Sequence, residues 1–276
     1  MSDQVVRVSN DWLALRELAD AAARSRELVE CLRPPAAGRW EIHDLGGATG
    51  SMGRWLAPLL AGPQHWIVHD RDTDLLALAE LPVAAADGAA VTFETTRSDI
   101  TRLRPDELAG ATLTCASALL DMLTEDELGR LVSACAGAGC PSLLCLSVVG
   151  RVALKPADPL DRRVGVAFND HQRRATERGR LLGPDAAAIA IEQFRRLGAE
   201  VLVRSSPWRL GVAHAELAAV WFTGWVRAAY EQHPELFAEA EAEAEAAGYT
   251  RRRLAQAAAG ELEVTVDHAD VLALPG

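Results

Sequence analysis

Apolar residues recur at helical spacing over residues 10–32, through Trp12, Leu15, Leu18, Ala22, Leu28, Val29 and Leu32, until Pro34 and Pro35 stop the pattern. This predicts a helical cap over residues 1–37. After Gly38 short apolar runs alternate with helical stretches. Strands are predicted at 40–45, 65–69, 91–95, 112–116 and 143–149. Between them lie a helix carrying Trp55, Leu56 and Leu59, which Pro58 should shorten, and a helix over 73–81. A further helix opens near Thr124, where Thr124-Glu125-Asp126-Glu127 has the form of a capping box. The βαβα order predicts an α/β fold: a doubly wound, mostly parallel sheet with helices on both faces, within one domain over 38–276.

The pattern then weakens. Residues 150–184 hold Pro156, Pro159, several arginines and Phe168-Asn169-Asp170-His171-Gln172 without clear periodicity, and read as one long loop, which in a compact domain is usually functional or mobile. A helix over 185–197 and a strand over 200–204 follow. Helices over 217–230 and 234–258 make a helical insertion at 212–258, and a last strand is predicted at 261–268. The alternating Glu-Ala repeat over 239–245 reads as a solvated helix.

Composition narrows the function classes. The 276 residues are 49% hydrophobic and 24% charged, an ordinary globular balance. No run approaches the roughly 18 apolar residues of a membrane span, and the first ten residues lack a basic-then-apolar signal pattern, so a cytoplasmic protein is expected. The net charge of −11 makes nucleic acid a poor default partner. The five cysteines form no CxxC pair and have no histidine at finger spacing, which predicts reduced core thiols and no metal.

The sharpest signal is His43-Asp44-Leu45-Gly46-Gly47-Ala48-Thr49-Gly50-Ser51-Met52-Gly53, which follows a strand and opens a helix. A tight glycine turn there lets backbone approach a ligand closely. It departs from the dinucleotide fingerprint, because Ala48 and Ser51 stand where that pattern has its second and third glycines. Asp44-Leu45-Gly46-Gly47-Ala48-Thr49-Gly50 instead resembles motif I of the class I S-adenosylmethionine-dependent methyltransferases. Ala48 replaces that family's middle glycine, which alanine tolerates where φ is negative. The resemblance spans about residues 38–150 and is nearest in overall pattern to the actinobacterial small-molecule branch. It implies a Rossmann-like methyltransferase fold with a seven-stranded sheet, S-adenosylmethionine as cofactor, and in-line transfer of methyl to an oxygen or nitrogen of a small-molecule acceptor. It also implies that Asp70, beside Arg71, takes the ribose hydroxyls, that Asp99 meets the adenine amino group with Ile100 against the ring, and that Ser117 opens the fourth motif. In the same light, 150–184 becomes an acceptor-side loop.

Fewer residues are candidates on the acceptor side. His171, beside Gln172, and Asp121, after strand four, are candidate proton acceptors. Trp208 and Gln172 are candidate substrate contacts. Arg16 and Arg24 can clamp a donor carboxylate. His43 and His69 read as structural, and Trp221 with Trp225 as either a homodimer face or core. The last two predicted strands are separated by about 55 residues, so either an insertion shapes the acceptor pocket or the final strand is misassigned. Two rival readings remain: a methyltransferase-like module that binds without chemistry, and a nicotinamide-dependent oxidoreductase. A nucleic-acid methyltransferase is disfavoured by the acidic balance and by the lack of an Asn-Pro-Pro-aromatic motif after strand four.

Overall fold

The computed structural model describes residues 9–234 and 240–276, the side chains of 240–247 excepted. Residues 1–8 of the expected cap, residues 235–239 of the expected insertion and the side chains of the acidic repeat lie outside the described residues. The chain opens with α1 (Asn10–Ala23) and α2 (Arg26–Glu30). The first half continues with β1 (Trp40–Leu45), α3 (Ser51–Leu56), β2 (Gln64–Asp70), α4 (Thr73–Leu76), β3 (Val91–Arg97), β4 (Leu113–Ser117) and α5 (Glu125–Gly137). The second half runs β5 (Ser142–Lys155), α6 (Asp161–Gln172), the hairpin β6 (Ala175–Thr176) and β7 (Gly179–Arg180), α7 (Ala186–Arg196), β8 (Glu200–Ser205) and β9 (Trp208–Leu210). It closes with α8 (Ala215–Gln232), α9 (Ala240–Ala258) and β10 (Glu263–Leu274).

The main sheet has the order β3-β2-β1-β4-β5-β10-β8, with short β9 also paired to β10. β1 pairs parallel to β2 and β4, β3 to β2, and β5 to β4, while β10 runs antiparallel to β5, β8 and β9. The expected seven strands therefore form the continuous path, and β9 is an eighth. β1 is buried almost throughout, as a central parallel strand covered on both faces must be. One core packs α5 and α7 on the sheet through Leu128, Leu131, Val132, Ala190 and Phe194. Another packs α2 and α3 through Leu28, Val29, Met52, Trp55 and Leu56. A third joins α6, α8 and α9 to the ends of β5 and β10, and Trp225 lies buried in it, so this residue of the candidate dimer face is core. The Thr124 capping box forms: Glu127 N donates to Thr124 Oγ1 and Thr124 N donates to Glu127 Oε2.

Several expectations require correction. The helix over 10–32 is two helices: Arg24 leaves helical geometry (ψ 138°), Ser25 caps α2 by accepting from Leu28 N, and Leu18 is exposed rather than part of an apolar stripe. The helix over 73–81 stops at Leu76. Residues 150–184 are not one loop, since β5 runs on to Lys155 against β10 and is followed by α6 and the β6–β7 hairpin. The final strand is correctly assigned as a strand but reaches Leu274, because the second half of β10 fills the place between β5 and β8. β9, α8 and α9 form the insertion between the two closing strands. No helix among the described residues is long and apolar enough to cross a membrane.

Asp270 of β10 locks this arrangement. The β5–β10 register shifts between Ala269 and Val271, and Leu146 on β5 has φ +55°. Such a bulge leaves a backbone N–H without a ladder partner. Leu146 N donates instead to Asp270 Oδ1 at 2.7 Å, which also accepts from Ser206 Oγ at 2.6 Å, while Asp270 Oδ2 accepts from Ser25 N at 2.7 Å. Replacing Asp270 by Ala orphans three donors, each worth about 1–3 kcal/mol when buried and unpaired. Asp270→Ala is expected to lose about 3 kcal/mol or more in denaturant unfolding; a loss below about 1 kcal/mol would show the junction to be unimportant.

Candidate functional site

β1 ends at Leu45 and the chain turns sharply through Gly46–Gly50 into α3. Gly46 and Gly50 have φ of +72° and +83°, and a Cβ on Gly50 would stand 2.8 Å from Leu81 Cδ1. At Gly47 φ is not the constraint: a Cβ there would lie 2.5 Å from Asp44 Oδ2. Ala48 has φ +47°, so the expectation of negative φ at this position is wrong. Alanine is held in the left-handed region at a cost of roughly 1–2 kcal/mol. The turn is tied to β2: Gly47 N donates to His69 O, and Ala48 N donates to Asp70 Oδ2 at 3.1 Å. Asp70 Oδ1 accepts from Asp72 N, leaving each carboxylate oxygen a further lone pair.

A cavity of about 240 Å³ lies beyond the carboxyl ends of these strands, with α1 along one side. In open α/β sheets this is where ligands bind. Of the cofactor candidates, Asp44, Gly46, Gly47 and Ala48 line it from β1 and its turn, and Asp70 with Arg71 from the end of β2. Asp99, Ile100, Ser117 and Arg16 line it as well. Gly50 does not; it shapes the turn from beneath. Asp121, His171, Gln172 and Trp208 do not line the cavity. His171 lies on α6, where burial first and then Arg174 hold its pKa down. Gln172 Nε2 donates to Asp121 Oδ2 at 3.4 Å. Trp208 is buried on β9 and donates its indole N–H to Asp20 Oδ1 at 2.9 Å.

The electrostatics concentrate on Asp44 and Arg24. Asp44 is buried; Cys115 Sγ donates weakly to its Oδ1 at 3.7 Å, and its Oδ2 has no partner. Burial pushes the carboxyl up to about 7 against the pull of Arg24. Arg24 is itself buried, donating to Ser51 O at 3.2 Å and Ser117 Oγ at 3.0 Å while its Nε stays unpaired. A buried carboxylate oxygen and a buried guanidinium N–H without partners, beside glycines that a Cβ would obstruct, suit a ligand carrying both an ammonium and a carboxylate. At Asp99 burial acts upward, but hydrogen bonds from Thr101 outweigh it and the pKa falls. Burial also raises Asp121, to about 6.

His43 and His69 pair within the strands as structural groups. His43 Nδ1 lies 2.9 Å from His69 Nε2, and His69 Nδ1 lies 3.1 Å from Ser98 Oγ. Burial lowers both, His69 to about 4. The five cysteines are free thiols, and no metal-holding cluster occurs among the described residues. Wall residues that carry no motif were missed by sequence reasoning: Trp12, Leu13 and Asp20 on α1, and Arg178 on the β6–β7 hairpin. Trp12, Arg16 and Asp20 recur every four residues, which is the one signal that could have united them on a helix face. Arg178 is drawn in by Glu127, to whose Oε1 it donates at 2.8 Å.

Asp44 yields a pH prediction. Its folded-state pKa is raised above the ordinary carboxylate value, so the folded state binds the proton more tightly than the unfolded one. Stability from this group is therefore lost as pH rises from about 4 to about 7, by at most about 4 kcal/mol. Asp44→Asn should melt higher than the parent at pH 8, with the difference closing near pH 4. Parallel melting curves across that range would refute the burial of an ionisable Asp44.

No family model matches the chain, and no curated protein matches it significantly. Among solved structures, a SAM-dependent methyltransferase from Geobacter sulfurreducens in complex with S-adenosyl-L-homocysteine is 13% identical, covering 98% of this chain and 92% of that one (TM-score 0.40). Magnesium protoporphyrin IX methyltransferase from Synechocystis PCC 6803, with bound SAH, is 15% identical over 75% of this chain and 84% of that one (TM-score 0.43). A cyclopropane synthase from Mycobacterium tuberculosis is 13% identical over 99% and 87% (TM-score 0.43). Likenesses at this level carry no weight for activity.

Proposed function

We propose that the chain binds S-adenosylmethionine in this cavity and transfers its methyl group to an oxygen or nitrogen of a small molecule. The observation that carries the reading is the meeting, around one cavity, of the Asp44–Gly47 turn with its unpaired Asp44 Oδ2, the Asp70 carboxylate, and Asp99 with Ile100. On this reading Asp70 accepts from the ribose hydroxyls, with Arg71 beside it. Asp99 and Ile100 hold the adenine. Asp44, Arg24 and Ser117 hold the amino-acid end, and Gly46 and Gly47 allow close approach. The bound donor supplies an electrophilic methyl on its sulfonium.

The chain's own task is then to orient the acceptor, exclude water and take up a proton where the nucleophile carries one. Asp121 suits that last role better than His171. Its neighbours Leu119 and Met122 line the cavity, and a pKa of about 6 leaves it ionised yet basic at neutral pH. The same reading takes residues 1–37 as a cap and 38–276 as the catalytic domain, with a cytoplasmic, small-molecule role and no nucleic-acid partner.

Calorimetry with S-adenosylhomocysteine and NADH separates this reading from its rival. Binding of the former is expected, and NADH binding without it would end the proposal. Asp70→Ala should abolish detectable S-adenosylhomocysteine binding with the fold intact by circular dichroism; unchanged affinity would show that the ribose site lies elsewhere.

A further inference from the structure

We propose that Arg16 seats a carboxylate of the methyl acceptor, so that the substrate class is a small organic acid whose apolar body rests on Trp12 and Leu13. This deepens the methyl-transfer reading and rests on it.

Arg16 is fixed before any ligand arrives. Its Nε donates to Asp20 Oδ2 at 2.8 Å and its Nη2 to Asp20 Oδ1 at 3.1 Å. The guanidinium carbon lies 4.9 Å from the Trp208 ring centroid and 5.7 Å from that of Trp12. Trp208 is held in turn by its indole bond to Asp20 and by His268, 5.5 Å away edge to face. A guanidinium has five N–H donors. Asp20 takes two, and the remaining three, on Nη1 and the outer side of Nη2, have no partner among the described residues. Nη1 and Nη2 together present the fork that matches a carboxylate in two parallel bonds. Arg16 lines the cavity with its side chain only 15% exposed, so the free edge is a guided donor rather than a solvated surface charge.

Position separates this cation from the donor site. Arg16 and Arg24 stand eight residues apart along α1 and its cap, about 12 Å of helix rise. Arg24 is the one bonded to Ser51 and Ser117 beside the glycine turn. Arg16 instead feels Asp121, whose carboxyl it draws downward against burial. An acceptor anchored on Arg16 therefore lies on the Asp121 side of the cavity. Charge favours a monoanion: Asp20 already neutralises Arg16, and a dianionic phosphate would face Asp20 and Asp121 together.

The test is calorimetry of protein saturated with S-adenosylhomocysteine, titrated with benzoate, with its neutral isostere benzamide and with inorganic phosphate. Benzoate should bind at least about tenfold tighter than benzamide, and Arg16→Gln should erase that preference while changing S-adenosylhomocysteine affinity by less than about threefold. Arg16→Lys, which keeps the charge but not the fork, should weaken benzoate about tenfold and serves if Arg16→Gln does not fold. Four results overturn the proposal: no benzoate binding in the millimolar range; equal binding of benzamide; a preference for phosphate; or weakened S-adenosylhomocysteine in Arg16→Gln with 5′-methylthioadenosine unaffected, which assigns Arg16 to the donor carboxylate. Repeating the benzoate titration without S-adenosylhomocysteine keeps a failure of the donor reading distinct from a failure at Arg16.

Discussion

One buried carboxylate holds together segments that the chain keeps far apart. Asp270 accepts from Ser25, Leu146 and Ser206, and so joins the α1–α2 junction, the bulge of β5 and the corner between β8 and β9. Burial raises its pKa while the backbone N–H of Leu146 and the other donors favour the anion. The wall of the cavity depends on this contact. α1 ends at Ala23 with Arg24 as its cap, and the next residue, Ser25, gives the N–H that Asp270 grips, so the position of Arg16, Asp20 and Arg24 over the strand ends is tied to β10.

The cavity carries both unpaired buried charges and strained backbone. Asp44 is buried with an unpaired oxygen, Arg24 is buried with an unpaired nitrogen, and Ala48 and Ala118 both have positive φ. The histidine pair of β1 and β2 is internally bonded, and Trp66 Nε1 donates to Gln64, whereas Trp225 Nε1, Arg253 Nε and His268 Nδ1 are buried without partners away from the cavity. At the cavity these features coincide with the glycine turn, and it is their combination there that supports the proposed reading.

What the sequence made legible was local. β1, the turn to Gly50 and the Thr124 cap are encoded by neighbours: a buried apolar run, glycines forced by close approach, and a reciprocal Thr–Glu bond. What it hid was set from a distance. The break between α1 and α2 follows from a partner 245 positions away. α6 was masked because its buried residues, Val164 and Ala167, sit among arginines and polar groups. The tail of β5 is a strand because β10 lies beside it, although Gly150 and Arg151 interrupt its pattern. The cofactor-side candidates came from strand ends, which the fold brings together by its own topology. Trp208 and Gln172 bond to Asp20 and Asp121, and His171 lies on α6, positions that depend on tertiary packing and carry no local sequence signal.

The place of β10 bears on how the chain acquires its structure. It lies inside the sheet, yet β5, β8 and β9 all precede it, and its key bond to Leu146 spans 124 positions. During synthesis those partners therefore leave the ribosome with open edges and wait for residues 263–274. Contacts of such long range slow folding, and unpaired strands in the interval invite association with other nascent chains. The final dozen residues of the sheet thus govern the kinetics of its assembly as well as its architecture.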